Sequence, residues 1–237
     1  MKSTIKDVAQ KAGVSIATVS FVINDSKHVS SETKSRVLKA IKSLKYHPSK
    51  SAINLVSGKT GNIGFIITDD HFLRTEPFYT SIFLGTEFEA RTAGYYVLLT
   101  SINPEFNKKD LLPRFIINKS VDGIIVAGKI PSNLIERMYP YNLPTVYIDY
   151  VPKQNCCPLV LIDNFQGGLI ATNHLIGLGH TNIAFIGGDI EHPSLSDRLK
   201  GYKQALENAK IPIKNSLIVT DAKYPDRVNG YNSIKNL

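Results

Sequence analysis

The chain has 237 residues, 43% of them apolar and 20% charged, which suits a globular protein and excludes a fibrous or disordered one. No apolar run reaches the ~18 residues that a membrane helix needs. The N-terminus, Met1-Lys2-Ser3-Thr4, lacks the apolar core of a secretory signal, so a cytoplasmic location without a membrane partner is expected. The net charge of +8 is uneven: residues 1–58 hold ten Lys and Arg against Asp7, Asp25 and Glu32, and the other 179 residues hold eighteen against seventeen. A strongly basic head on a near-neutral body suggests that one end meets a polyanion; the plainer alternative is a solvated surface.

Thr4 followed by Asp7 predicts a capped helix from Ile5 to about Ala12. Gly13-Val14-Ser15 reads as a tight turn, with Ser15 capping a second helix from Ile16 to Ile23. Ser30 opens a third helix to about Leu44, with Val37, Leu38, Ile41 and Leu44 on one face. Pro48 stops regular helix, and Ser49 to Val56 is a short segment before Gly58.

From Asn62 the pattern changes. Short apolar runs are expected as strands at Ile63–Ile67, Tyr96–Leu99, Gly123–Val126, Thr145–Ile148, Leu159–Ile162, Ile183–Ile186 and Leu217–Val219. Between them Ser81–Ala93, Leu111–Asn118, Ser132–Tyr139, Gln166–Leu178 and Leu195–Ala209 read as helices. Such alternation predicts parallel sheet covered on both faces, and this many strands invite a split into two sheets. Val151 to Pro158 is the expected crossover between them. Cys156 and Cys157 are adjacent; a disulfide between neighbours is strained, so two free thiols are expected.

Helix, Gly-containing turn, helix is the form of a helix-turn-helix, whose second helix lies in the major groove. Ile16, Ala17 and Phe21 are then the base readers, Val19, Val22 and Ile23 face the core, and Ser15, Thr18 and Ser20 bond phosphates. A small helical bundle with no nucleic-acid role is the alternative. Ile16, Ala17 and Phe21 carry no side-chain donors or acceptors for base edges, so readout would rest on thymine methyls and DNA shape, with modest discrimination.

The run Thr4-Ile5-Lys6-Asp7-Val8-Ala9-Gln10-Lys11-Ala12-Gly13-Val14-Ser15-Ile16-Ala17-Thr18-Val19-Ser20 resembles the head of the lactose-repressor/galactose-repressor (LacI/GalR) family of bacterial transcription regulators. So do Val22-Ile23-Asn24, Val29-Ser30 and Tyr46 with Pro48. In the body the similar stretches are Ile63-Gly64, Pro77-Phe78-Tyr79, Ala93-Gly94-Tyr95, Val121-Asp122-Gly123-Ile124-Ile125, Ile148-Asp149, Leu178-Gly179-His180, Ile183-Ala184-Phe185-Ile186-Gly187-Gly188 and Arg198 with Gly201-Tyr202. The resemblance covers essentially the whole chain.

The fold that this resemblance implies is a small all-α helix-turn-helix head plus an α/β body of two parallel-sheet subdomains, like periplasmic binding proteins. The family's body continues beyond Leu237, so the second subdomain is expected to be incomplete at its C-terminus. The divisions are residues 1–48 for the DNA-binding head, 49–61 for the hinge helix and linker, 62–155 for the first effector subdomain and 156–237 for the second. A homodimer on double-stranded operator DNA is implied. Thr4, Ser15, Ile16, Ala17, Thr18, Ser20, Phe21, Asn24, Ser30, Tyr46 and Ala52 are the implied DNA-binding residues, with Leu55 as a minor-groove wedge; packing of Leu55 against the body is the alternative. Many relatives carry Arg or His at the position of Phe21, and often Arg at that of Ile53, so their operator rules do not transfer.

For the effector, the resemblance singles out Asp69, Phe78, Tyr79, Asp149, Tyr150, Arg198 and, more weakly, Tyr224. Aromatic faces cover the C–H face of a sugar, while Asp and Arg bond its hydroxyls. The plainer alternatives are core packing for Phe78 and Tyr79, a loop cap for Asp149 and a surface ion pair for Arg198. Gly58-Lys59-Thr60 is no phosphate loop, because Ile53 stands where the motif needs Gly. No catalytic or metal-ligating pattern is present, Glu191-His192 beside Asp189 reads as a polar loop, and no cofactor is implied. The expected function is a transcriptional regulator, a repressor controlled by a sugar-like effector and without enzymatic activity. The competing reading is a sugar-binding module whose vestigial head no longer binds DNA.

Overall fold

The computed structural model describes residues 3–23, 29–46, 58–72, 77–153, 157–221, 227–235 and 237. Met1–Gly61 and Asn62–Leu237 form two compact units.

In the first unit, each helix starts where a side chain meets the orphan N–H groups of its first turn. The Thr4 hydroxyl accepts from Asp7 N (3.4 Å) and Asp7 Oδ2 accepts from Thr4 N (2.8 Å), a capping box that opens α1 (Ile5–Ala12). The Thr4 backbone N–H, aided by its hydroxyl, holds the Asp7 carboxyl below the usual carboxylate range. Gly13 (φ 63°) ends α1 with bonds from Gly13 N to Gln10 O and Val14 N to Ala9 O, a Schellman arrangement that needs a left-handed residue. Ser15 Oγ accepts from Thr18 N (3.1 Å) and starts α2 (Ile16–Ile23); Ser30 Oγ accepts from Thr33 N (3.3 Å) and starts α3 (Ser31–Ser43). Past α3, Lys45 (φ 46°) bonds Lys42 O and Tyr46 N bonds Ile41 O, which folds Tyr46 back into the core formed with Val8, Ala9, Ala12, Val19, Val22, Val37 and Ala40.

In the second unit, β1 (Asn62–Thr68), β2 (Tyr96–Ile102), β3 (Gly123–Ala127), β4 (Thr145–Ile148) and β5 (Leu159–Val160) form one parallel sheet in the order β2-β1-β3-β4-β5. The alternation of β1 sends Phe65 and Ile67 to one face, against Tyr79, Ile82 and Phe83, and Ile66 to the other, with Phe106, Phe115, Ile116, Ile124, Val126 and Leu134. Helices α4 (Asp69–Phe72), α5 (Pro77–Thr92), α6 (Arg114–Ile117) and α7 (Ser132–Met138) connect these strands. A second sheet pairs β6 (Phe185–Ile186) with β7 (Ile218–Val219), in parallel. Its core is Ile183, Leu199, Tyr202 and Leu206, beneath α8 (Asn164–Gly177) and α9 (Pro193–Asn208); α10 (Arg227–Lys235) follows. Among the described residues no helix is long and apolar enough to cross a membrane.

Each expected strand is present, but the crossover is not where the sequence suggests. Val151 to Pro158 does not lead to a second sheet: Tyr147 N bonds Pro158 O (3.0 Å) and Asp149 N bonds Val160 O (3.0 Å), so β5 extends the first sheet, although the division at 155/156 puts it in the second subdomain. Passage to the second sheet comes after β5, through α8. The helix expected over Leu111–Asn118 shrinks to Arg114–Ile117 because Pro113 restricts the residue before it. Those expected from Ser81 and Leu195 begin earlier, at Pro77 and Pro193, where proline suits a first helical position. Helices α4 and α10 are not anticipated.

Helices α8 and α9 meet backbone to backbone. A Cβ on Gly168 would run into the Arg198 carbonyl, and one on Gly201 into the Phe165 carbonyl and Leu169 N. Backbone cannot swing aside as a side chain can, so Gly201→Ala is expected to lower the stability of this unit by about 1–3 kcal/mol, as overpacking does. Urea unfolding followed by circular dichroism measures it, and a loss below about 0.5 kcal/mol would mean that the helices separate freely.

Candidate functional site

In the first unit, Val19 and Val22 are buried beneath α2, which leaves Ile16 (45% exposed), Ala17 and Phe21 (49%) on its outer face. Thr18 and Ser20 are half-buried beside them. The hydroxyls of Thr4, Ser15 and Ser30 are helix caps, so they hold the N-terminal N–H groups of α1, α2 and α3 in place. The turn at Lys45 packs Tyr46, 8% exposed, into the core of the head. Asn24, Ala52 and Leu55 lie outside the described residues, as do most of the hinge and Cys156. On α3, Ser31, Lys34, Ser35, Leu38, Lys39 and Lys42 line a shallow groove of about 400 Å³. That basic stripe is not singled out from sequence, although the spacing of Lys34, Leu38 and Lys42 signals it.

In the second unit, the chain runs from β1 to β2 on one side and returns past β1 to β3 on the other. The carboxyl ends of β1 and β3 are therefore the switch point at which α/β sheets bind ligands. Above them the His71 and Tyr79 rings lie 4.5 Å apart, and Phe78 meets Tyr79 edge-on at 5.0 Å. Gly128 (φ 78°) leaves room for both, since a Cβ there would stand 2.8 Å from His71 and from the Tyr79 hydroxyl.

Asp149, at the end of β4, is 8% exposed and left-handed (φ 57°). Its Oδ2 accepts from the Tyr79 hydroxyl (2.8 Å) and its Oδ1 from the Ser194 hydroxyl (2.6 Å). Tyr79 belongs to the first sheet's layer and Ser194 to α9, so the carboxylate joins the two halves of the body. His192 Nε2 lies 3.9 Å from the same carboxylate, and its Nδ1 accepts from Ser194 N as the cap of α9. Burial pushes His192 below its ordinary 6.5; Asp149 opposes the shift, and the positive charges of Lys129 and Arg198 add to it against Asp189. Lys129 reaches Asp189 (3.4 Å) and Glu191 (3.3 Å), in pairs open enough to water to hold little. Arg198, one helical turn beyond Ser194, is exposed; its Nε donates to Asn164 Oδ1 at 2.7 Å.

Of the residues expected at an effector, the structure thus brings Phe78, Tyr79 and Asp149 together, with Arg198 on the helix that meets Asp149. Asp69 is half-buried at the carboxyl end of β1. Tyr150, after the left-handed Asp149, is half-buried against the core of the first sheet. Tyr224 lies outside the described residues. Asp149 does more than cap a loop, and Asp189-Ile190-Glu191-His192 is more than a polar loop, since Asp189 and Glu191 hold Lys129 and His192 faces Asp149. His71, Lys129, Asn164, His192 and Ser194 are missed from sequence. His192-Pro193 is a cap-and-first-turn signature, and Ser194 stands four residues before Arg198; those signals were available.

Because the folded protein favours neutral His192, the unfolded chain takes up a proton first as pH falls below about 6.5. The stabilisation is complete above that value and is lost towards acid. His192→Asn keeps a capping side chain and removes the titration, so it is expected to flatten the fall in melting temperature between about pH 7 and about pH 5. An unchanged slope in the variant would show that His192 does not titrate on unfolding.

Residues 4–49 match the family described as "Bacterial regulatory proteins, lacI family", and residues 60–237 match "Periplasmic binding proteins and sugar binding domain of LacI family". The chain is 35% identical over 223 residues to the HTH-type transcriptional regulator DegA of Bacillus subtilis, covering 92% of this chain and 65% of that protein. It is 36% identical over 221 residues to catabolite control protein A of Priestia megaterium, again 92% and 65%. The HTH-type transcriptional repressor PurR of Proteus mirabilis is 34% identical over 238 residues, 99% of this chain and 68% of that one. The chain therefore spans just under two thirds of the first two of these relatives. Among solved structures, a transcriptional regulator CelR–cellobiose complex aligns with a TM-score of 0.64 at 28% identity, over 99% of this chain and 70% of that chain. The Lac repressor dimer bound to operator and the anti-inducer ONPF aligns with a TM-score of 0.75 at 23% identity, over 98% and 68%, a likeness of fold.

Proposed function

The chain belongs to the lacI family of bacterial regulatory proteins, and we propose that it is a transcriptional repressor that binds operator DNA through its head and a sugar-like effector between the two halves of its body. It acts in the cytoplasm as a homodimer and catalyses no reaction. What supports this above all is the outer face of α2. Ile16, Ala17 and Phe21 stand outward from a helix whose inner face is sealed by Val19 and Val22, in the basic part of the chain. An apolar outer face on a helix of the basic head suits thymine methyls in a major groove. The capped N-termini of α1, α2 and α3 offer N–H groups to phosphates. By its register in the sequence, Leu55 is the wedge that bends the duplex.

For the effector, Tyr79, with Phe78 and His71 around it, provides the aromatic side, and Asp149 and Arg198 provide the polar side. A sugar hydroxyl that takes over one of the Asp149 bonds exchanges an internal contact between the halves for one to the ligand. The balance between two arrangements of the halves then shifts, and operator affinity with it.

In a mobility-shift titration with a thymine-rich palindromic duplex, raising salt from about 50 to about 200 mM is expected to weaken binding by about 10³-fold or more, as counterion release requires when several phosphates are neutralised. A flat response would overturn DNA binding by the head. Replacing thymine by uracil in each half-site deletes only the methyl and is expected to cost about 1 kcal/mol per contact, while Phe21→Arg shifts one position towards guanine. If uracil has no effect and Phe21→Ala leaves the selected sequence unchanged, Phe21 is not a base reader.

A further inference from the structure

We infer that Asn164 is a positioning residue for the effector: it occupies the Arg198 Nε–H, so the guanidinium meets its ligand only end-on, through Nη1 and Nη2. The inference rests on the reading of Arg198 as an effector ligand and names the chemistry that Arg198 is left to recognise. A guanidinium has two bidentate edges, one from Nε and one Nη, the other from the two Nη groups. Asn164 Oδ1 stands 2.7 Å from Nε and takes up the first edge. The second offers two parallel donors, matched to a pair of adjacent oxygens such as vicinal hydroxyls of a sugar.

Asn164 is built to hold this place. It is 7% exposed, and both its backbone N (2.9 Å) and its Nδ2 (3.1 Å) donate to the Ile162 carbonyl. With its amide nitrogen committed there, its oxygen is fixed towards Arg198. It is the first residue of α8, directly after Asp163, whose carboxylate accepts from Gln166 N (2.9 Å). The crossing at Gly168 and Gly201 sets the spacing, because Gly168 packs on the backbone of Arg198 itself. The Arg198 backbone and its Nε are therefore both anchored to α8, although the side chain is exposed, and a long side chain held at two points loses little further freedom on binding.

The test follows the Arg198 Nε–H directly, by hydrogen exchange in nuclear magnetic resonance on the whole isotope-labelled chain. Asn164→Leu, close in shape but without an acceptor, is expected to speed its exchange about ten-fold or more. Asn164→Ala gives the same readout without added bulk should Asn164→Leu fail to fold. Unchanged exchange in the Leu and Ala variants would overturn the inference, whichever ligand binds. Calorimetry with glucose, galactose, ribose and cellobiose supplies the second arm. For a sugar that binds, Arg198→Ala is expected to abolish the heat and Asn164→Leu to weaken affinity about ten-fold. Loss in Arg198→Ala with no change in Asn164→Leu would overturn positioning alone. No change in Arg198→Ala would overturn the effector reading and the inference with it.

Discussion

Asp149 places a negative charge where water hardly reaches, and much of the body is arranged around that constraint. A buried carboxylate is strongly unfavourable unless donors surround it. Two hydroxyls answer it, Tyr79 from the first sheet's layer and Ser194 from the start of α9. Each must arrive at hydrogen-bond distance, so the carboxylate sets where α9 begins relative to the first sheet. The left-handed turn at Asp149 aims it there, Gly128 leaves space for the Tyr79 hydroxyl, and the His71 ring braces Tyr79 from the side.

Hydroxyl donors to a carboxylate are also the groups that a sugar carries. The Lys129 pairs with Asp189 and Glu191 stand in water, where screening removes most of their worth. The two kinds of contact differ in burial: the Asp149 carboxylate is nearly dry, and the Lys129 pairs stand in water. His192 ties the first kind to the cap of α9, because the same ring faces Asp149 and accepts from Ser194 N.

The head solves a different problem with the same economy of groups. Three short helices have little area to bury, and their ends must be satisfied locally. Thr4, Ser15 and Ser30 do this at the starts, Gly13 and Lys45 at two of the ends. With the ends secured, Val8, Val19 and Val37 close the core completely, and the outer face of α2 is left to Ile16, Ala17 and Phe21.

What the sequence by itself determined is what local chemistry decides. Caps, turn glycines and the change of apolar period at Asn62 place the helices of the head and the strands of the body, because each depends on residues within a turn of one another. The outward position of Phe21 was legible for that reason, as was the candidacy of Asp149, Tyr79 and Arg198 through their family-like stretches. What only the tertiary structure decided are the partners. Tyr79 and Asp149 are 70 residues apart in sequence, and Asp149 and Ser194 are 45 apart. No periodicity reports that their oxygens meet. Strand β5 joined the first sheet because its ladder partner is β4, a fact held in hydrogen bonds and not in the run Leu159–Ile162 itself. Tyr46 turned inward because Lys45 adopted a conformation that lysine's propensity does not announce. Asn164 stayed hidden because its significance lies entirely in the 2.7 Å to an arginine on another helix, brought there by two glycines whose missing side chains leave the room.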